Sequence, residues 1–299
     1  MTNDDYLTEV LKGQELGDES SEMKELQQHR MDVEALLREK FAKSSPTIRY
    51  GGSKAKGTLI RESYDLDVIC YFPSSDTSAG ESLKDIYDNV TTALQGGYYI
   101  TPKNSSIRLK SKDPKQNVKD FHIDVVPGRY VDETKTDSFI HQNGSEKERL
   151  KTNLDVHIAH VRDSGVDDAI RLLKLWKVRK SIPLKGFVWE LVIIKLLKTK
   201  KSSSLSAQLE HVWKEIRDTK DPISIEDPAN PSGNDLSKVL DTSVWFTLSA
   251  SAKSTLGQIQ SSGWESVFGP LKRAEGASRV AALSRAAGTA SVQSKPWAD

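Results

Sequence analysis

The run Leu66-Asp67-Val68-Ile69-Cys70-Tyr71-Phe72 reads as a buried β-strand, because β-branched and aromatic residues crowd it and Pro73 ends it. It nevertheless opens on acids. Asp65 and Asp67 alternate with Leu66, so both carboxylates fall on one face, one pleat apart. Neighbouring carboxylates on a rigid strand repel each other unless a cation lies between them, and a hard divalent ion with oxygen ligands is the natural occupant. Upstream, Gly52-Ser53 can present backbone N–H groups and a hydroxyl to phosphate oxygens. A lone Asp-x-Asp would equally suit a solvated strand end. The Gly-Ser pair before it and the apolar continuation after it mark the mouth of a buried strand instead, and suggest metal-assisted chemistry on a nucleoside triphosphate.

Composition narrows the setting. A chain of 299 residues suffices for one or two domains, and 36% hydrophobic against 28% charged residues fits a soluble globular protein. A net charge of +1 argues against coating long nucleic acid by charge alone, while leaving room for a local basic cleft. The single cysteine, Cys70, cannot form an internal disulfide or a cysteine-rich zinc site and reads as a small core residue. No apolar run reaches the ~18 residues that span a membrane. The acidic start Met-Thr-Asn-Asp-Asp lacks a signal-peptide pattern. A cytoplasmic protein without a membrane partner is expected.

Periodicity predicts a short helix over 4–12, a helix from about Ser21 to Phe41, an extended Thr47–Tyr50, a helix over Leu83–Leu94 and a strand over Ile107–Lys110. A polar loop with Pro114 and Lys115 precedes another strand, Phe121–Val126, closed by Pro127-Gly128. From about 150 the pattern turns helical: Asp168–Lys180, Phe187–Lys198, Leu205–Ile216 and Leu236–Ile259, with a Pro/Asn/Asp loop over 221–235. The Ala/Ser-rich end, 276–299, reads as a mobile tail or weak helix. The expected architecture is α+β: a mixed-sheet lobe over 1–150, a helical lobe over 151–275 and the tail.

A third acid, Asp124, shares a strand face with His122 while Phe121, Ile123 and Val125 face the other way. A charge in so apolar a strand needs a partner. Asp65, Asp67 and Asp124 could hold two Mg²⁺ ions, with Mn²⁺ as a substitute, and leave the protein mainly positioning and charge neutralisation to supply.

Gly52-Ser53, then Asp65-Leu66-Asp67, then Asp124 resemble the signature of the polymerase-β-like nucleotidyltransferase superfamily. Arg171-Leu-Leu-Lys-Leu-Trp-Lys177 is similar to the oligoadenylate-synthetase helix that carries a triphosphate-binding lysine. Phe187-Val-Trp-Glu-Leu-Val-Ile193 resembles the core helix that follows it, and Asp227-Pro-Ala-Asn-Pro-Ser-Gly-Asn234 the Asp-Pro-x-x-Pro-x-x-Asn loop of the same group. The resemblance runs over about 20–260 and points to the bacterial cyclic-GMP-AMP-synthase/DncV-like enzymes (CD-NTases). It implies a bilobed molecule with its site in the cleft, where Gly52, Ser53 and Lys174 contact the donor triphosphate. It also implies a monomer that makes cyclic di- or trinucleotides from NTPs, purines favoured, in anti-phage defence, alongside protein regulators or an effector. Where animal relatives often have a donor-pocket serine, this chain has Lys185-Gly186-Phe187. It also lacks their Cys/His zinc insertion, so zinc-dependent DNA sensing is not expected. A linear polymerase or RNA-end modifier, and a catalytically inactive nucleotide sensor, are the alternatives.

The surrounding residues have plainer readings beside these. Lys174 by position alone suits a helix surface. Residues 171–201 carry ten Lys/Arg against one acid, Glu190, which suits either a solvated face or a cleft wall. Glu190 reads as a buried hydrogen-bonding group, Lys54 and Lys56 as surface or phosphate-contacting lysines, and the six tryptophans mostly as core. His122 could join the site, and Tyr64 or Tyr71 could stack on a base.

Overall fold

The computed structural model describes residues 1–113, 122–144, 148–234 and 236–271. Phe121, the Pro114–Lys115 loop and the tail over 276–299 lie outside the described residues. The strands β1 (Thr47–Tyr50), β2 (Leu66–Phe72), β3 (Tyr98–Pro102), β4 (Ile107–Ser111), β5 (Ile123–Tyr130), β6 (Ser138–His141) and β7 (Arg149–Thr152) form one sheet. Its order is β1-β2-β5-β4-β3, with β6 on β5 and β7 on β6. β2 and β5 run parallel and the other described pairs antiparallel, which makes the sheet mixed.

The alternation in β2 sets the architecture. Leu66, Val68, Cys70 and Phe72 are buried with Ile107, Leu109, Ile123 and Val125. Over them pack Val33 and Leu37 of α2 (Ser21–Lys40) and Ile86, Val90 and Leu94 of α4 (Leu83–Leu94). Each side chain of this size is worth about 1.5–3 kcal/mol when fully buried. A one-residue slip would bury Asp67 and expose Val68, so the core fixes the register. The other face carries Asp67 and a smaller cluster of Ile69, Tyr71, Tyr130 and Ile140. Both helices begin on a side-chain cap: the Ser20 hydroxyl accepts the Met23 N–H at 3.2 Å, and Ser82 and Asp85 form a capping box.

Pro127-Gly128 does not close the strand; β5 runs on to Tyr130. β4 pairs with β5 as far as Val125 and β6 takes over at Gly128, so on that edge Pro127 falls between the two and its missing N–H breaks neither ladder, while on the other edge it stands in register with Cys70 of β2. The short strands β3, β6 and β7 were not expected from the sequence.

The remaining helices are α1 (Asn3–Gln14), α3 (Gly52–Lys56), α5 (Leu154–Arg162), α6 (Asp167–Arg179), α7 (Gly186–Leu196), α8 (Leu205–Asp218), α9 (Thr242–Ser262) and α10 (Glu265–Phe268). Trp176 of α6 lies between Trp189 of α7 and Trp213 of α8, with ring centroids 5.9 and 5.8 Å away, and Trp213 meets Trp264 at 5.7 Å. The described tryptophans are therefore core, as read. α1 precedes the sheet in sequence but packs on α6 and α8, and Met1–Gly269 forms one compact unit. Among the described residues no helix is long and apolar enough to cross a membrane.

Candidate active site

The parallel pairing of β2 and β5 sets Asp67 directly opposite Asp124, on the face away from α2 and α4. Asp65 stands one residue before β2, where its Oδ1 accepts the backbone N–H of His122 at 3.2 Å. His122 thus serves the site through its main chain, which also accepts the Leu66 N–H at 2.9 Å.

The Gly-Ser turn closes over these acids. The Gly51 N–H donates to the Asp67 carbonyl at 2.9 Å, so the chain entering α3 lies against the start of β2. Gly52 has φ +51°, and a Cβ there would stand 1.6 Å from Asp67 Oδ2. Only glycine allows both that backbone conformation and that approach. Lys174 reaches in from α6: its Nζ donates to Ser53 Oγ at 2.6 Å and to the Thr58 carbonyl at 2.7 Å.

Behind Ser53 lies a buried charge network. Glu190 of α7 is fully buried and accepts from Lys56 Nζ and, at 2.6 Å, from Thr58 Oγ1, with Lys174 Nζ 3.8 Å away. Glu190 is the buried hydrogen-bonding group that was read, whereas Lys56 is buried and not a surface lysine. Lys54 turns away to Met23 Sδ at 3.3 Å and Asp18 at 3.7 Å. Lys177, one turn after Lys174, donates to the Leu184 carbonyl at 2.8 Å. The basic stretch therefore divides, with Lys174 and Lys177 turned inward and Lys195, Lys198, Lys200 and Lys201 exposed. Tyr71 is buried in the sheet's second cluster and cannot stack on a base.

Electrostatics mark the same place. Asp67 keeps partial exposure, yet the protein packed around it, then Asp65 and Asp124, push its carboxyl up to about 6, against the pull of Lys56 and Lys174. Burial, with help from Lys56 and Lys177, lowers Lys174 to about 8, while Glu190 acts the other way.

The donor set of Asp65 and Asp67 fits a hard cation, since a positive charge would relieve the mutual repulsion that raises Asp67. Asp124 differs. Its two oxygens accept from Arg108 Nε at 2.9 Å and Nη2 at 2.7 Å, and among the described residues no three His, Cys, Asp or Glu side chains stand gathered as a ligand set.

Neither a protein-family profile nor a curated protein sequence matches the chain. Solved structures do. CdnC of E. coli MS115-1, in a complex with HORMA-deltaN, is 18% identical with a TM-score of 0.66, over 91% of this chain and 98% of that one. Vibrio cholerae DncV, a cyclic AMP-GMP synthase, is 16% identical with a TM-score of 0.61, over 90% and 85%. The Cid1 poly(U) polymerase is 14% identical with a TM-score of 0.61, over 89% and 98%. The fold is that of the polymerase-β-like nucleotidyltransferases.

In this nucleotidyltransferase fold the Asp-Pro-x-x-Pro-x-x-Asn loop folds onto itself. Asp227 accepts from Asn234 Nδ2 at 2.7 Å and from the Ala229 N–H at 2.9 Å, and lies 2.7 Å from His157 Nε2. Burial pushes the Asp227 carboxyl up, but the bonds from His157 and Asn234 outweigh it and hold it below the usual range. The His157 ring rests 4.6 Å from that of Phe187, whose face lies 5.0 Å from Lys56 Nζ. The loop thus ties α5 to the edge of the buried charge network. A groove of about 890 Å³ beside α5 and α7, lined by Val156, His160, Leu191, Lys195 and Pro228 among others, contains none of the three acids, Ser53 or Lys174. Sequence reasoning missed Arg108 and Thr58. The alternation Ile107-Arg108-Leu109 placed Arg108 on the site face, but only the β4–β5 register reveals its partner.

Proposed function

We propose that this chain is an Mg²⁺-dependent, template-independent nucleotidyltransferase that joins NTPs, purines favoured, into a cyclic di- or trinucleotide signal. We place it with the bacterial cyclic-GMP-AMP-synthase/DncV-like enzymes of anti-phage defence. The observation that carries this reading is the 2.6 Å bond from Lys174 to Ser53 beside the Asp67–Asp124 pair, which sets a phosphate-binding lysine and hydroxyl against a carboxylate strand mouth. The motifs shared with the CD-NTases support it in sequence. The HORMA-bound CdnC neighbour supports a protein regulator.

In the reaction a 2′- or 3′-hydroxyl of one nucleotide attacks the α-phosphorus of another. An O–P bond forms, the bond to the β-phosphate oxygen breaks, pyrophosphate leaves and the hydroxyl proton passes to solvent. A last transfer, the second for a dinucleotide and the third for a trinucleotide, joins the two ends of the chain, releases its pyrophosphate and closes the ring. Mg²⁺ held by Asp65, Asp67 and Asp124 would supply charge neutralisation and a lowered hydroxyl pKa. Lys174, Ser53 and the backbone N–H groups of the Gly-Ser turn bind and orient the triphosphate, while Gly52 lets that turn lie against Asp67.

Incubation of pure protein with the four NTPs and Mg²⁺, followed by phosphatase and mass spectrometry, tests the reading. A phosphatase-resistant cyclic product supports it. A ladder of linear products supports the second reading, which the Cid1 likeness favours. Tight NTP binding without any product supports an inactive sensor.

Two further results are expected. Gly52→Ala lowers turnover by about a hundredfold, because a Cβ 1.6 Å from Asp67 Oδ2 forces that carboxylate aside and small misplacements cost this much. A hundredfold in kcat is about 2.7 kcal/mol, whereas the left-handed backbone costs about 1–2 kcal/mol of stability, so the loss of turnover should exceed the loss read by urea unfolding. Lys174, lowered to about 8, holds its proton to higher pH once a triphosphate binds. Binding then takes up a proton above pH 8 and weakens as pH rises, by up to about tenfold per unit. Calorimetry with a non-hydrolysable NTP between pH 7 and pH 9 should show this slope, and Lys174→Met should bind weakly and without it.

A further inference from the structure

Arg108 and Asp124 face each other in register on the antiparallel strands β4 and β5. Their two parallel bonds, 2.9 and 2.7 Å, occupy both carboxylate oxygens in the fork geometry that makes Arg–carboxylate pairs strong. The charges of Asp65 and Asp67 also favour the Arg108 guanidinium through space, while its bonds go to Asp124. The side chain of Asp124 is 15% exposed and that of Arg108 32%, so the arginine borders solvent and has somewhere to go while the acid stays in the sheet. A divalent ion on Asp124 beside a paired guanidinium would set like charges a few ångströms apart.

We propose that Arg108 is a positioning residue that competes with the metal for Asp124: it holds the third carboxylate in place, and the carboxylate ligates an ion only when Arg108 swings out. The inference rests on the nucleotidyltransferase reading and adds to it a residue that sets metal affinity. A purely structural salt bridge makes the opposite prediction, because its loss loosens the site and weakens metal binding.

Binding of Mn²⁺ alone to the full-length protein, followed by the EPR signal of the free ion, separates the two. Arg108→Gln should bind Mn²⁺ about tenfold tighter than the parent, and Arg108→Lys, which keeps a charge but loses the fork, should fall between them. Adding Asp124→Asn to Arg108→Gln should erase the gain. Circular dichroism melts check folding, and if Arg108→Gln does not fold, the tightening in Arg108→Lys alone decides. Parent-like or weaker Mn²⁺ binding in the folded Arg108 variants, with binding still lost in Asp67→Asn, overturns the role of Arg108 and leaves the nucleotidyltransferase reading standing. No Mn²⁺ binding by parent or variants overturns both.

Discussion

On the nucleotidyltransferase reading, Asp67→Asn should abolish nucleotidyl transfer, by at least about a thousandfold, and it should make the metal-free protein more stable than the parent at neutral pH. Both effects have one cause. Burial first, then Asp65 and Asp124, hold the Asp67 carboxyl at about 6. The unfolded chain loses this proton near pH 4, while the folded chain keeps it until about 6. Stability therefore falls as pH rises between those values and stays low above them. The gap sets an upper limit of about 3 kcal/mol for the strain, and asparagine, which carries no charge, should recover about 1–2 kcal/mol of it at pH 7 and almost none below pH 4. Thermal unfolding in EDTA at the two pH values reads this directly, as a rise of about 2–4 °C per kcal/mol at neutral pH. On the proposed metal site, Mg²⁺ should stabilise the parent more than the variant, which keeps Asp65 but has lost the Asp67 ligand. A variant less stable than the parent at pH 7 without metal would mean that Asp67 is not under electrostatic strain.

That strain was half legible in the sequence. Alternation along Leu66–Phe72 gave the strand, its buried face and the common face of Asp65 and Asp67, because a period-2 pattern of large apolar residues has few other solutions. The helices α2, α4, α6, α7 and α8 were legible from apolar residues recurring at helical spacing, and the motif resemblance named the fold. The position of Asp67 against Asp124 was not, since it depends on pairing strands more than fifty residues apart. Nor was the Arg108 pair, which needs the β4–β5 register as well. The strands β6 and β7 escaped because Ser138–His141 and Arg149–Thr152 are four residues each and mix polar with apolar side chains. Glu190 was correctly read as buried, an acid amid Trp189, Leu191 and Val192 having no other stable place, but its partners lie more than a hundred residues upstream in the Gly-Ser stretch.

Those partners lead to the other large effect. Glu190→Ala removes the carboxylate that bonds Lys56 and lies 3.8 Å from Lys174, and leaves Thr58 Oγ1 without its acceptor. Breaking a buried ion pair from one side costs about 3–5 kcal/mol, which should appear as a lower urea midpoint with an unchanged slope. Glu190→Gln fills nearly the same volume and can still accept from Thr58, so it should lose less stability while removing the charge. Its binding of NTP is the sharper measurement. Glu190 supports the proton on Lys174 against burial, so without that charge Lys174 must titrate below 8. The pH at which NTP affinity begins to fall should then move down in Glu190→Gln. A purely structural glutamate would lower stability and leave that pH where it was. Changing Lys56→Met together with Glu190→Leu removes both members of the buried pair and should restore much of the stability, because matched apolar residues often replace buried ion pairs at little cost. It should restore NTP affinity only in part: losing Lys56 removes one repelling charge from Lys174, but Glu190, its largest counter-charge, is gone and only the weaker pull of Asp65 remains.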